Sequence, residues 1–469
     1  MQERDELENE SDHANDNGWM EDDSEMESKS DVIEEVLTTL VSVKAKVGAQ
    51  NALLDDQRRP VKKTKDENFF LYVNGKNKQL AVKNPTFEKG RLASITAMQP
   101  FNPKNEGEEP TVEDAQSMKR GWYKDFFKKP FKNLLVLSGA GSSVDVGLPL
   151  MTGLWDFVKK EVKEDVFKKM LDVIKHTKDG DFEALISRID GYIIYNEDIQ
   201  IDGKKLSQYR EVILKVIREK TNIGVPKGKF PHVTLLQKLL QRKQTNSRVK
   251  VFTLNYDLLF EKAANNINAV VIDGFSYSSP RTFSGRYFDY DIVQREGSKV
   301  NEEDNFVTRV FHLYKMHGSL NWKKEEGTDN IVIDDNAEDP LMVYPREGKY
   351  KDSYGQPFFE MIARFQRNLR LDNDTLLICI GYSFNDNHIN AAIEEAINQN
   401  PGFRMAVIDP FFSRTDSQAY SRLIGEAMET EKIMIVSETF TDFADHFPEI
   451  QTYDNELRYA PINLRNEGK

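Results

Sequence analysis

Seven short β-branched runs constrain the fold of this chain more than any other feature: LLVLS at 134–138, VKVFTL at 249–254, AVVI at 269–272, LMVY at 341–344, TLLICI at 375–380, MAVID at 405–409 and IMIV at 433–436. They alternate with stretches of helical periodicity, which predicts an α/β fold built on a mainly parallel sheet. More than a hundred residues separate the first run from the second, and 154–175 and 205–219 within them have helical spacing. A helical module inserted at about 152–248 is therefore expected, starting just past the first small-residue turn.

The segment before residue 131 reads differently. Residues 1–35 hold 15 acids against two bases, and the rest of the chain is balanced at 62 of each sign, so the net charge of −13 belongs to the tail. Residues 1–30 carry too few large apolar groups to offset the entropy of ordering, and disorder is expected. From Asp31, an N-cap with Glu34 three residues on, Val32, Ile33, Val36, Leu37 and Leu40 share one helical face, giving an amphipathic helix to about residue 55 that packs on its own body or mediates assembly. FFLYV and KQLAV within 68–85, joined by a polar Asn-Gly-containing stretch, read as a β-hairpin, and the Pro/Glu/Asn-rich 99–115 reads as a linker. The accessory region thus spans 31–130 and the α/β unit 131–469.

Composition removes several classes. A charge-balanced body argues against broad phosphate neutralisation, so direct nucleic-acid binding is not expected. A single cysteine, Cys379, excludes a disulfide framework and a four-cysteine zinc site within the chain. Lying inside TLLICI, it reads as a small buried hydrophobe rather than a nucleophile. No apolar run approaches the roughly 18 residues of a membrane span, and the acidic N-terminus is unlike a signal peptide, so a cytoplasmic protein is expected.

Chemistry-bearing residues gather after the apolar runs. LLVLS leads into Gly139-Ala140-Gly141-Ser142-Ser143, where small residues let the backbone approach a pyrophosphate, or simply make a tight strand-to-helix turn. VKVFTL leads into Asn255-Tyr256-Asp257, two short polar groups at a strand's carboxyl end. Asn255 is placed to hold a ribose hydroxyl or a water, with Asp257 in support; an Asx-turn is the other reading of the same residues. Met316-His317-Gly318-Ser319 offers a base near neutral pH beside a flexible glycine. TLLICI leads into Gly381-Tyr382-Ser383-Phe384-Asn385-Asp386, and MAVI into Asp409-Pro410, whose carboxylate can reach an adenosine hydroxyl. His388, just beyond, is expected on the following helix, and Glu183 on a solvated helix face of the insert.

The ordered set GAGSS-x3-GLP, TLNYD, KMHGSLNW and GYSFND resembles the sirtuin-like family, specifically its bacterial antiphage-defence branch, over roughly 131–445. The resemblance implies a Rossmann-like NAD site in which Ala140, Gly141 and Ser142 line the phosphates, Asn255 and Asp257 flank the nicotinamide ribose, and His317 is the base. It further places Gly139 with that first loop, and Gly381, Ser383 and Asp409 toward the adenosine half. The chain departs from the deacylase branch in lacking its zinc cysteines, in reading Leu150-Met151-Thr152 where those enzymes have Asp-Phe-Arg, and in carrying Tyr344-Pro345-Arg346 in place of a Phe-Gly-Glu peptide-binding segment.

Those departures resemble the defence proteins that hydrolyse NAD itself. The resemblance implies a metal-independent NAD glycohydrolase, with NAD as substrate, that depletes cellular NAD when triggered in abortive infection. It also implies an oligomer, with a partner such as a HerA-type ATPase or a short Argonaute. A non-catalytic module sensing NAD or ADP-ribose is the second reading, and a deacylase or ADP-ribosyltransferase the third. Deletion of 31–60 is expected to change assembly more than chemistry.

Overall fold

A computed structural model of the protein describes residues 68–449, apart from 102–106, 178–181, 196–197, 243–245, 295–305, 338–339, 343–356, 371–373 and 415–417. The expected acidic tail and amphipathic helix lie outside the described residues.

In chain order the strands are β1 (Asn68–Val73), β2 (Gln79–Lys83), β3 (Thr86–Glu88), β4 (Arg91–Ser94), β5 (Ala97–Gln99), β6 (Asn133–Ser138), β7 (Gln200–Ile201), β8 (Lys204–Lys205), β9 (Val249–Thr253), β10 (Val270–Ile272), β11 (Val310–Lys315), β12 (Trp322–Lys324), β13 (Ile331–Ile333), β14 (Thr375–Ile380), β15 (Arg404–Ile408) and β16 (Ile433–Val436). Ten of them form one sheet in the order β10-β11-β9-β6-β14-β15-β16-β1-β2-β5. From β10 to β16 every pairing is parallel. The expected mainly parallel α/β sheet is what forms.

Both faces of this sheet are covered, which is why its strands read as unbroken apolar runs. Leu134 and Val136 point into one core layer with helices Val112–Lys128, Pro231–Leu239, Leu259–Asn266 and Phe440–His446, while Leu135 and Leu137 point into the other with Phe358–Arg370, Asn387–Gln399 and Gln418–Glu429. Strands β11, β9, β6, β14, β15 and β16 take the third-second-first-fourth-fifth-sixth order of a doubly wound nucleotide-binding sheet, with β10 added outside β11. The winding direction reverses between β6 and β14.

The inserted module is helical and has its own core. Met151–Val162, Glu164–Val173, Phe182–Tyr195 and Leu206–Thr221 surround Trp155, Phe167, Phe182 and Ile213. The expected single run at 154–175 is two helices, broken at Lys163 where φ is +75°. Helix Pro231–Leu239, within the expected span of the insert, instead packs Leu235, Leu236 and Leu239 into the sheet's own core.

Residues before 131 extend the same sheet. β1 runs antiparallel to β16, with Tyr72 opposite Val436, and then pairs with β2. Helix Val112–Lys128 starts inside the stretch expected as linker because Thr111 and Asp114 close a capping box. Its buried Lys119 donates to the Ser437 carbonyl at 2.8 Å, and Arg120 to Glu438 at 3.1 Å, tying it to the end of β16.

Two differences bear on the site. VFHLYK at 310–315 is a fully buried strand, which its His and Lys hid from an apolar reading. LMVY at 341–344 contributes only an isolated bridge, Met342 to Gly318, among the described residues.

Candidate active site at the carboxyl edge

The register brings five strand ends to one edge. Lys315 lies opposite Thr253, Thr253 opposite Ser138, Ser138 opposite Ile380, and Ile380 opposite Ile408. The loops that follow carry His317, Asn255, Gly139–Ser143, Gly381–Asp386 and Asp409, so all the motifs singled out in the sequence emerge from contiguous parallel strands. Ligands of open α/β sheets bind at this edge, at the point where the winding reverses.

The first loop is built against the fourth. Gly139 N–H donates to Ile380 O at 3.0 Å, and Gly141 N–H to Gly381 O at 2.9 Å. A Cβ on Gly139 would lie 2.6 Å from the Gly381 oxygen, and Gly381 itself, at φ +59°, faces the backbone of Gly141 and Ser142 so closely that no side chain fits. The glycines therefore serve the contact between the two loops at the switch point. The amides of Gly139, Gly141 and Ser142 all donate within the protein. Downstream runs a 3-10 helix, Ala140–Val146, rather than an α-helix. Ala140 is exposed, while Ser142 is buried, sharing a hydrogen bond with Ser138 Oγ at 2.7 Å and donating to Gly139 O at 2.8 Å.

Asn255 is the hub of this loop. Its Nδ2 donates to Gly139 O at 3.0 Å and approaches Ser142 Oγ and Ser143 Oγ at 3.2 and 3.0 Å. Because a carbonyl only accepts, Gly139 fixes which end of the amide faces the loop and leaves Oδ1 as the amide's acceptor. Asp257 is buried, taking Ser143 Oγ–H at 2.8 Å on one oxygen and the Leu259 amide at 3.1 Å on the other. Asp257 thus closes an Asx-type turn and braces the first loop through Ser143.

Lys315, unremarked in the sequence, pins this second loop from below. Its buried Nζ donates to the Tyr256 carbonyl at 3.3 Å, to the Asp257 carbonyl and to Glu261 Oε1 at 3.1 Å. Burial pushes the Glu261 carboxyl up against the opposing pull of Lys315. The third loop is tied to the second as well, Leu320 N–H donating to Tyr256 O at 3.1 Å. Gly318 sits at φ +93°, its Cα side pressed on the Leu341 carbonyl, so glycine is required there by conformation and by space.

His317 Nε2 lies 3.2 Å from Asp386 Oδ2. Asp386 caps helix Asn387–Gln399, its Oδ1 accepting from His388 N at 2.9 Å and Ile389 N at 3.2 Å. Burial works against its charge, but the His317 ring and the two amides more than offset this and hold the carboxyl below its usual range. Asp386 was legible in the sequence as part of GYSFND, and its position before an apolar helical run is the signal that marks it as a cap.

The remaining residues differ in setting. Ser383 is exposed. Asp409 has both oxygens engaged, one by Tyr420 Oη–H and one by the Phe411 amide, each at 2.8 Å. His388 is exposed on its helix, and Cys379 is buried in β14, where burial pushes its thiol up. Among the described residues no cluster of three or more His, Cys, Asp or Glu side chains is arranged to hold a metal, and no helix is long and apolar enough to cross a membrane.

Comparison with known proteins places this edge in context. Residues 249–433 match the SIR2-like domain family, a stretch that contains Asn255, Asp257, His317, Gly381, Ser383, Asp386 and Asp409. The solved structure of Sir2Tm bound to a propionylated peptide aligns at 12% identity over 70% of this chain and 96% of that one, with a TM-score of 0.34. No curated protein matches the chain.

Proposed function

We propose that the chain is an NAD glycohydrolase, cleaving NAD to nicotinamide and ADP-ribose, and that it serves as the NAD-depleting effector of a bacterial antiphage defence system. The observation that carries the chemical part is the convergence of Asn255 and His317, from adjacent parallel strands, on the edge where a doubly wound sheet holds nucleotides, each fixed by partners of its own. The SIR2-like match over 249–433 supports NAD as the ligand class.

Breaking the nicotinamide–ribose bond develops oxocarbenium character at the ribose carbon. NAD and one water give nicotinamide, ADP-ribose and a proton. Asn255 Oδ1 orients a ribose hydroxyl or the attacking water, and His317 accepts the proton, a positioned base contributing about 10²–10⁴-fold. An activity that consumes the cell's own NAD calls for control through assembly or a partner protein, and the oligomer and partner belong to this same proposal.

The test is nicotinamide release from NAD by the purified full chain, alone and with copurifying or infected-cell components, beside Asn255→Ala and His317→Ala. Release by wild type and a fall of about 10²-fold or more in both variants is the expected result. Binding of NAD or ADP-ribose with no release under any of these conditions would make the chain a sensing module and end the glycohydrolase reading.

A further inference from the structure

His317 and Asp386 belong to loops that do not neighbour each other. One follows β11 and the other β14, with β9 and β6 between them, a gap of roughly 14 Å at about 4.8 Å per strand. The two loops reach over that gap to place Nε2 3.2 Å from Oδ2, with both side chains mostly covered.

The carboxylate is held from behind. Its Oδ1 is taken by the His388 and Ile389 amides, and its backbone carbonyl accepts from Tyr382 Oη at 3.2 Å and from the Asn390 amide at 2.9 Å. Tyr382 Oη shares its one hydrogen between that carbonyl and Asn390 Oδ1 at 2.9 Å, and Asn390 Nδ2 donates to Phe384 O at 2.8 Å, so the whole turn 382–390 is cross-braced. Only Oδ2 is directed at the histidine. An ionised carboxylate accepts and cannot donate, so the ring nitrogen facing it must carry the hydrogen.

We infer that Asp386 is the positioning residue of His317: it fixes the ring with hydrogen on Nε2 and thereby makes Nδ1 the nitrogen that takes the proton. This rests on the reading of His317 as the base, and it adds the partner and the atom. It is the logic by which a buried aspartate sets a histidine's tautomer in hydrolytic triads, here supplied by a helix cap. The same carboxylate stabilises the imidazolium once the proton has moved from the reacting hydroxyl to Nδ1.

Asp386→Asn separates this role from capping, because asparagine caps helices about as well as aspartate. It retains an oxygen for the His388 and Ile389 amides but presents an amide to Nε2 in place of the carboxylate. The full chain is labelled with ring-¹⁵N histidine, and the signal lost in His317→Gln identifies His317 among the seven histidines. Wild type is expected to show the Nε2–H tautomer, and Asp386→Asn a shift toward Nδ1–H. Nicotinamide release is expected to fall about 10²–10⁴-fold in kcat with KM changed less than about threefold.

A wild-type ring protonated on Nδ1, or an Asp386→Asn chain with unchanged tautomer, overturns the inference, and lost turnover without a tautomer change assigns Asp386 to capping alone. The tautomer is read without substrate. A chain that releases no nicotinamide yet shows the Nε2–H ring, reversed in Asp386→Asn, keeps the pairing while the glycohydrolase reading fails.

Discussion

Two histidines mark the extremes of this molecule. His317 sits at the carboxyl edge, partly open and facing a carboxylate at 3.2 Å. His232 sits in the core, fully buried, with the rings of Phe260, Phe440 and Phe230 at 4.8, 5.0 and 5.4 Å and no hydrogen-bond partner for either nitrogen among the described residues. Burial pushes His232 down to about 3, so it is a neutral aromatic filler. The same residue type is the proposed base in one region and packing in the other, and what separates them is whether the surroundings give the ring a charge partner and an opening.

Lys315 tests how cleanly the two regions divide, since it is as buried as a core residue yet supports the site. It holds the Tyr256 and Asp257 carbonyls and pairs with Glu261. Lys315→Met keeps the stem and deletes the ammonium, taking this donor from the Asp257 carbonyl and the Glu261 carboxylate, while the Tyr256 carbonyl keeps the Leu320 amide. Unfolding free energy is expected to drop by about 2–3 kcal/mol in a denaturant titration. Nicotinamide release is expected to fall at least about tenfold, because the Asn255 loop loses its lower support. A stability loss with unchanged turnover would break the link and assign Lys315 to the core alone.

The positions of His317 and Lys315 also show what the sequence conveyed. Apolar runs gave away β6, β9, β14, β15 and β16, since strands covered on both faces have little room for polar residues. β11 escaped because His312 and Lys315 interrupt it: His312 Nδ1 is satisfied within the strand, 3.1 Å from Tyr314 Oη, but the Lys315 partners are more than fifty residues away, where no local pattern announces them. The site followed the same rule. Small polar groups after strand ends were legible one loop at a time. Their mutual arrangement was not, because the Gly139–Gly381 contact and the His317–Asp386 pair cross 242 and 69 residues of chain. Helix Val112–Lys128 was legible in principle, from Thr111 and Asp114, but proline and glutamate nearby masked it.

Acid sharpens the contrast next. His232 has a folded value of about 3 against an ordinary 6.5, so between those limits the unfolded chain binds more protons than the folded one. The stability this residue contributes is complete above about pH 6.5 and is lost as pH falls toward about 3, with a slope of up to about 1.4 kcal/mol per pH unit. Subtracting the stability–pH curve of His232→Phe from that of wild type cancels the other titrating groups. The wild-type-minus-variant difference is expected to fall steadily as pH drops below 6.5, and a flat difference would show that His232 has a charge partner after all.

At pH 8 the same substitution gives the smallest effect and the most direct statement about the core. Imidazole there buries two polar nitrogens among phenylalanines, a cost of about 1–3 kcal/mol for an unpaired group, which a phenyl ring removes. The phenyl ring is larger by roughly one CH group, and interiors at native packing density charge for added volume, so part of the gain is offset. The net expectation is stabilisation of about 1 kcal/mol or less by denaturant titration, with nicotinamide release within about twofold of wild type. Because His232 lies between helices Pro231–Leu239, Leu259–Asn266 and Phe440–His446, any larger loss of turnover would mean that this layer reports to the carboxyl edge. That outcome would dissolve the division between the two histidines, since a packing residue would then be setting the geometry in which His317 works.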